Sequence, residues 1–400
     1  MRAAGAVVIE GARGSGKTMT ATQAASSHVF LDTTESQQLV DLAPDVLLEG
    51  ERPRLLDEWQ TAPGLWNLVR REVDRSGAPG QFLLTGSALP PDDVSRHSGA
   101  GRFIRLRQRT MTWSEIEQPK RGVSLSALFE GSAPGTDAAT ASFRSVVEGL
   151  VRSGFPAVLE RDDDARRQLL GAYLEEIVRT DVGRLSKVRH EPAVLRTLLR
   201  SVARNSASEV SYATLRRDIL AVAPGIAVET VASYVDLLER LYVVERQQPW
   251  TPALRSRARL RQSPKLHLTD PGFAAALLGA SVNSLERDPE TVGLLFESQV
   301  FHDLSVLASS LGGEVRHLRD SNGHELDAVL VLGDGRWAAV EAKVGARQIP
   351  GGAESMALTV AQIDTSAVGE PAFRLVVTGT GGTFALKDGT ITVPLGKLVP

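Results

Sequence analysis

Gly11-Ala12-Arg13-Gly14-Ser15-Gly16-Lys17-Thr18 decides how this chain is read. The pattern is G-x-x-x-x-G-K-T; the apolar run Ala6-Val7-Val8-Ile9 precedes it and the periodic stretch Met19 to Ala25 follows. Strand, glycine-rich turn and helix in that order are the setting a phosphate-binding loop requires. Successive backbone N–H groups and the helix N-terminus present positive potential to a β-phosphate. In this reading Gly11, Arg13, Gly14, Ser15 and Gly16 form the cradle and Lys17 reaches the β- and γ-phosphates. The Thr18 hydroxyl binds Mg²⁺. Nucleotide binding is predicted, with ATP and Mg²⁺ as cofactors. The alternative is a plain glycine-rich strand-to-helix turn.

Further along, Arg54-Leu55-Leu56-Asp57-Glu58-Trp59-Gln60 is an apolar strand that runs out into two adjacent carboxylates, about 40 residues after Lys17. Asp57 at the strand end suits Mg²⁺ held through water, and Glu58 suits a base that polarises the attacking water. A helix cap is the alternative for such a pair. Leu65 to Val73 reads as an amphipathic helix, and Gln81-Phe82-Leu83-Leu84-Thr85-Gly86-Ser87 as another strand. Ligands gather at the carboxyl ends of strands in open parallel sheets, so Thr85 and Ser87 are candidates to sense the γ-phosphate or orient water. Arg102, in Gly101-Arg102-Phe103-Ile104-Arg105-Leu106, is the candidate for a positive charge on the transferred phosphoryl group, acting within the chain or from a second copy.

Composition narrows the classes. The 400 residues allow two or three domains, and the formal net charge of -3 excludes a global basic field. Any nucleic-acid contact must therefore come from a local patch. With no cysteine, disulfides, thiolate nucleophiles and Cys-ligated zinc are excluded. No apolar stretch approaches the roughly 18 residues of a membrane span. No membrane contact is expected, and a cytoplasmic location is.

The order of these features resembles a family. Walker A at 11–18, Leu-Asp-Glu-x-Gln at 56–60, Leu-Thr-Gly-Ser at 84–87 and a Gly-Arg before Ser114-Glu115 are similar to prokaryotic AAA+-like ATPases with a C-terminal DUF4143 region. The resemblance makes Lys17 and Thr18 Walker A residues, Asp57 and Glu58 Walker B residues, and Ser87 part of the sensor-1 region. The short lead-in before the first strand departs from the family pattern and implies fewer contacts around the adenine, or a truncated start.

The middle of the chain reads as helical. Phe143 to Val151 and Ala165 to Val178 are helices around a turn, Ser153-Gly154-Phe155-Pro156, which resembles the family's Gly-Gly-Tyr/Phe-Pro segment. Helices over Ala193 to Ala203, Ser211 to Leu220 and Ala227 to Leu241, then a strand at Tyr242-Val243-Val244, follow the order of a winged helix-turn-helix. The third helix carries Glu229, Asp236 and Glu239 against Arg240, which disfavours phosphate contact. Arg216 and Arg217, and the run Arg255, Arg257, Arg259 and Arg261, are the cations left for a polyanion. A solvated edge explains that run equally well.

The last part opens on Lys265-Leu266-His267-Leu268-Thr269-Asp270, similar to the family's Pro-Lys-x-Tyr-x-x-Asp segment; His267 reads as a satisfied strand residue. A long helix, Val292 to Ser310, contains Glu297. His324 to Val331 and Trp337 to Lys343 read as a hairpin about a Gly-Asp-Gly turn. Period-2 alternation puts Glu341 and Lys343 on one face, and the hairpin turn between 331 and 336 brings Asp327 near Glu341. Two carboxylates and a lysine on one point can hold Mg²⁺ and hydrolyse a phosphodiester, with Glu297 adding a ligand. Asp327 with Glu341-Ala342-Lys343 resembles the PD-(D/E)xK nuclease motif, with Leu326 in place of the motif's proline. A surface salt-bridge edge is the alternative.

The fold expected is α/β throughout: a P-loop, AAA+-like parallel sheet over 1–119, a helical and winged-helix middle over 120–263, and a restriction-endonuclease-like α/β domain over 264–400. The function expected is an ATPase whose nucleotide state controls the winged-helix and nuclease-like modules. An ATP-gated DNA or RNA nuclease and a non-catalytic regulator are the competing readings. Expected partners are ATP, with DNA or RNA, another protein or a second copy as alternatives.

Overall fold

Val7 and Ile9 turn to one side of the first strand and Ala6 and Val8 to the other, and both sides are buried. Strands covered on both faces need near-continuous apolar runs, which is why 6–9, 55–56 and 82–84 look alike in sequence. The computed structural model describes residues 2–88, 99–138, 141–185, 191–252, 263–320 and 322–400. The first unit runs β1 (Ala6–Glu10), α1 (Lys17–Ala24), β2 (Ser27–Phe30), α2 (Thr34–Leu42), β3 (Arg54–Asp57), α3 (Leu65–Ser76), β4 (Phe82–Gly86), β5 (Phe103–Arg107) and α4 (Trp113–Glu117). Its five strands lie in the order β2-β3-β4-β1-β5, all parallel. Trp59, Trp66 and Val69 seal one face, while Ala21 of α1 packs on the other.

A two-residue strand, β6 (Val123–Ser124), and α5 (Leu125–Phe129) come next, and then α6 (Phe143–Arg152) and α7 (Asp163–Glu176). A π-helical turn, Ile177–Asp181, links α7 to α8 (Val182–Leu185). Three helices follow, α9 (Pro192–Arg204), α10 (Tyr212–Ile219) and α11 (Val228–Arg240). The strand read at 242–244 lies further on, as β7 (Val244–Gln247), because Tyr242 takes a left-handed turn (φ 57°) out of α11. It pairs antiparallel with β8 (Lys265–Leu268). The arginine run 255–261 lies outside the described residues.

The final unit contains α12 (Pro271–Leu278), α13 (Val282–Leu285), α14 (Pro289–Ser310), β9 (Glu314–Arg319), β10 (Glu325–Val331), β11 (Trp337–Lys343), α15 (Ile349–Val360), α16 (Thr365–Val368), β12 (Arg374–Thr378), β13 (Phe384–Ala385), β14 (Ile391–Pro394) and β15 (Leu398–Val399). Its mixed sheet has the order β13-β14-β12-β11-β10-β9. The helix α14 covers one face and α15 the other. The strand β15 returns to pair with β6, so residues 123–124 are joined to the C-terminus. One apolar core runs from Trp113 through the middle helices to Leu398.

Candidate functional site

The phosphate loop leaves the carboxyl end of β1. Gly14 and Gly16 both sit at positive φ (76° and 93°), where a side chain would strain the turn. Lys17, only 4% exposed, folds back so that its ammonium donates to the Ala12 carbonyl at 2.8 Å. Burial pulls its pKa down to about 8, against the opposing pull of Glu58 and Asp57. The Ser15 hydroxyl is buried with no partner among the described residues. An orphaned hydroxyl beside a buried ammonium and a helix N-terminus suits a phosphate oxygen.

The carboxyl ends of β3 and β4 bring the rest. The Thr18 hydroxyl donates to Asp57 Oδ1 at 2.9 Å, and the Thr85 hydroxyl donates to the same oxygen. This pair of hard oxygen donors suits Mg²⁺. Glu58 is left-handed (φ 56°), an uncommon state for a residue with a side chain and one that clusters at active sites. Its N–H donates to Thr85 Oγ1 at 3.2 Å. Its Oε2 accepts from the Ser87 hydroxyl at 3.0 Å and from the Gln60 amide, which also donates to Ser87 Oγ at 3.1 Å.

Arg102 does not join them. It precedes β5 at the amino end of the sheet, since Ala6 is in register with Phe103, and it pairs with Asp74 at 2.7 Å. The length of a strand, about 3.3 Å per residue, separates it from this chain's own loop. Within one chain the phosphoryl-stabilising role therefore does not fall to Arg102. The opposite end of β5 does touch the loop: Gln108 donates to the Ser15 carbonyl at 2.9 Å. The neighbouring Arg107 and Arg109 are both spent on Glu245 of β7, at 3.0 and 2.9 Å. Burial would raise Glu245, but the two arginines hold its pKa at about 2. The loop's Arg13 faces Asp181 of the π-helical turn at 3.6 Å, and its carbonyl accepts from the Tyr173 hydroxyl at 2.9 Å.

A second cluster lies at β10, β11 and α14. Asp327 sits where the β10–β9 register shifts, a bulge that re-aims its side chain. Its Oδ2 accepts from the Ala342 N–H at 2.9 Å and lies 3.8 Å from the Lys343 ammonium. Lys343 donates to Glu341 at 2.7 Å. Glu297 and Glu325 approach Asp327 as well, each of the three offering an oxygen that lies within 4.8 Å of the others. Asp327 is thus the neighbour shared by Lys343 of β11 and Glu297 of α14. Burial first, and Asp327 second, raise the pKa of both Glu297 and Glu341.

Two members were not foreseen. Glu325 stands two residues before Asp327 on the same strand, a spacing that period-2 alternation makes legible. Lys265 of β8 reaches Glu297 at 2.6 Å and Glu325 at 2.7 Å with only 3% of its side chain exposed. Burial would lower its pKa, but Glu297, Asp327 and Glu325 hold it above the ordinary lysine range. The motif resemblance at 265–270 marked the segment but not this role, because the partners of Lys265 lie on other elements. Oxygen donors this close fit a hard divalent cation, and Lys265 already supplies part of the neutralising charge. His267 is fully satisfied, between Ser298 at 3.0 Å and Gln247 at 3.1 Å.

A parallel sheet in the order 2-3-4-1-5, with Thr18, Asp57 and Glu58 at its carboxyl edge, defines an ATPase domain of the P-loop class. Residues 3–117 match the AAA domain family, and residues 292–398 match DUF4143, a domain of unknown function. The AAA match thus lies at the N-terminal side and the DUF4143 match at the C-terminal side of the chain. Between them, residues 144–284 match a further domain of unknown function, DUF8612. The chain is 26% identical over 347 residues to the uncharacterized protein Rv2008c of Mycobacterium tuberculosis, covering 86% of this chain and 68% of that one. The same values hold for the uncharacterized protein Mb2031c of Mycobacterium bovis. Among solved structures, the Walker-type ATPase paby2304 of Pyrococcus abyssi is similar with a TM-score of 0.38 at 12% identity, over 68% of this chain and 90% of that one. The Aeropyrum pernix ORC1 protein in complex with DNA gives 0.22 at 13%, over 71% and 87%. Among the described residues no helix is long and apolar enough to cross a membrane.

Proposed function

We propose that this chain is a Mg²⁺-dependent ATPase whose nucleotide state is transmitted to the carboxylate cluster of its C-terminal domain. The observation that carries the reading is the convergence of Lys17, Thr18, Asp57, Glu58 and Thr85 at the carboxyl ends of the adjacent strands β3, β4 and β1, with Ser15 unpartnered beside them. Lys17 and the loop N–H groups bind the triphosphate, and Thr18 and Asp57 hold Mg²⁺. The bound ion neutralises charge on the β- and γ-phosphate oxygens. Glu58 orients and polarises the attacking water, and Ser87 steadies Glu58. The test is Glu58→Gln, which keeps the shape and removes the charge. ATP binding should persist while phosphate release falls by about 10²-fold or more. Normal turnover in E58Q would rule this assignment out.

Transmission is supported by a continuous set of contacts. Gln108 clasps the loop, Arg107 and Arg109 grip Glu245, and β7 carries Gln247, whose amide donates to the Asp327 carbonyl at 2.8 Å. A second reading makes the C-terminal cluster a divalent-metal site for phosphodiester hydrolysis, on a restriction-endonuclease-like frame. It is favoured by the approach of Glu341, Lys343, Glu297 and Glu325 to Asp327. In that reading Asp327, Glu297, Glu325 and Glu341 supply ligands and Lys343 assists. Isothermal titration of the full chain with Mn²⁺, wild type against D327A/E341A, tests it. Equal binding by both proteins, or none by either, removes the metal site and leaves a structural or partner-binding domain.

In this proposal α9, α10, α11 and the β7–β8 ribbon act as a winged-helix module that contacts protein rather than reading a DNA groove. Arg246 is turned onto Asp236 and Glu239 of α11, and Arg216 donates to the Ile226 carbonyl at 2.6 Å. Cations engaged in this way are not offered to phosphates.

A further inference from the structure

Gln60 is the part of the ATP site whose chemistry the proposed reaction has not yet used. It lies in a 3₁₀ turn, Trp59–Thr61, directly after Glu58. Its amide nitrogen has two partners, the Glu58 carboxylate and Ser87 Oγ. Because a carboxylate only accepts, the amide is oriented with nitrogen toward Glu58. That orientation leaves the carbonyl oxygen buried with no partner among the described residues. A buried, unsatisfied amide oxygen is unfavourable, so packing alone is a poor account of Gln60. Space is made for it at Gly86, where a Cβ would stand 3.1 Å from that oxygen.

Both donors, Gln60 and Ser87, converge on one oxygen of Glu58, Oε2. Thr85 holds the backbone N–H of the same residue. Glu58 is thus fixed at three points in a left-handed backbone state, and its other carboxylate oxygen, Oε1, accepts no hydrogen bond among the described residues. We propose that Gln60 is a positioning residue, which selects Oε1 of Glu58 as the oxygen that meets the attacking water. This rests on the ATPase reading given above. Gln60 acts through Glu58 and does not itself touch the triphosphate, so its loss should change turnover and spare affinity.

The experiment is a double-mutant cycle on the full chain, with phosphate release for turnover and calorimetric titration for ATP affinity. Q60A should lower kcat by about 10- to 100-fold, the range expected when a catalytic group is misplaced by about an ångström. ATP affinity should stay within about twofold. In the E58Q background Q60A should cost less than about twofold further, because the group it positions is already disabled. Q60M, near the same volume without the amide, should behave as Q60A does and serves if Q60A fails to fold. Wild-type turnover in Q60M, or equal losses in the presence and absence of E58Q, would overturn the proposal while leaving the ATPase reading intact. A wild type that releases no phosphate, or an E58Q protein with normal turnover, overturns both.

Discussion

At the scale of the residue, Lys17 concentrates the argument. Its ammonium is buried against Ala12 and held near a pKa of 8 by burial, with Glu58 and Asp57 opposing. Lys17→Ala should abolish most ATP affinity without unfolding the chain, and calorimetric titration of the folded variant checks it. The pH dependence has a definite sign. Above about pH 8 the nucleotide-free protein loses this proton. A bound triphosphate favours the charged form, so binding then takes up a proton. Affinity should fall with rising pH above 8, by up to about tenfold per unit. Titration in buffers of different ionisation enthalpy reads the proton uptake directly. A pH-independent affinity between 7.5 and about 9.5 would mean that Lys17 stays charged throughout. The Walker residues were legible because their spacing is local and their chemistry is narrow. That Arg102 stands at the amino end of the sheet was not legible, because an arginine in a loop carries no mark of which end it stands on.

At the scale of the element, the β7–β8 ribbon does what the sequence did not announce. One end holds Glu245 between Arg107 and Arg109 of the AAA domain, and the other sets Lys265 among Glu297 and Glu325. Breaking a buried ion pair from one side leaves a stranded charge, at a cost of about 3–5 kcal/mol. Glu245→Gln should destabilise the protein by that order and weaken the coupling of ATP to the C-terminal domain; urea unfolding measures the first. Lys265→Met should destabilise by a similar amount, since Glu297 and Glu325 lose their cation. Mn²⁺ should restore part of that loss, and more to K265M than to the wild type. A K265M protein of wild-type stability, indifferent to Mn²⁺, would show that Lys265 does not balance the cluster. The hairpin of β10 and β11 was readable from alternation around a Gly-Asp-Gly turn. The bulge at Asp327 was not, because it depends on the β9 partner strand.

At the scale of the whole molecule, the C-terminal domain shares its core with the middle. Leu125, Phe129, Val146 and Leu150 belong to the same apolar cluster as Phe296, Val340 and Leu395. The Trp113 N–H donates to Asp303 of α14 at 2.9 Å, and His302 meets Thr110 at 3.0 Å. A fragment covering 292–398 alone should therefore lack cooperative folding and bind the dye ANS through exposed apolar surface, whereas a fragment beginning at 110 should show a sigmoidal urea transition. Cooperative unfolding of the short fragment would show that the shared core is dispensable.

Taken alone, the sequence determined the parts whose physics is local. The phosphate loop, the Asp57-Glu58 strand end, the helices of the middle and the final hairpin are all written in spacing and periodicity. Only the tertiary structure decided which charges meet. Lys265 and Glu297 are 32 positions apart, and Arg109 and Glu245 are 136 apart. Nor did the sequence show that β15 closes on β6, or that Ile349 to Val360 forms the helix behind the sheet. Ion pairing depends on distance in space, which no single stretch of chain encodes. Period and composition report only which face of an element is buried, and leave open what it is buried against.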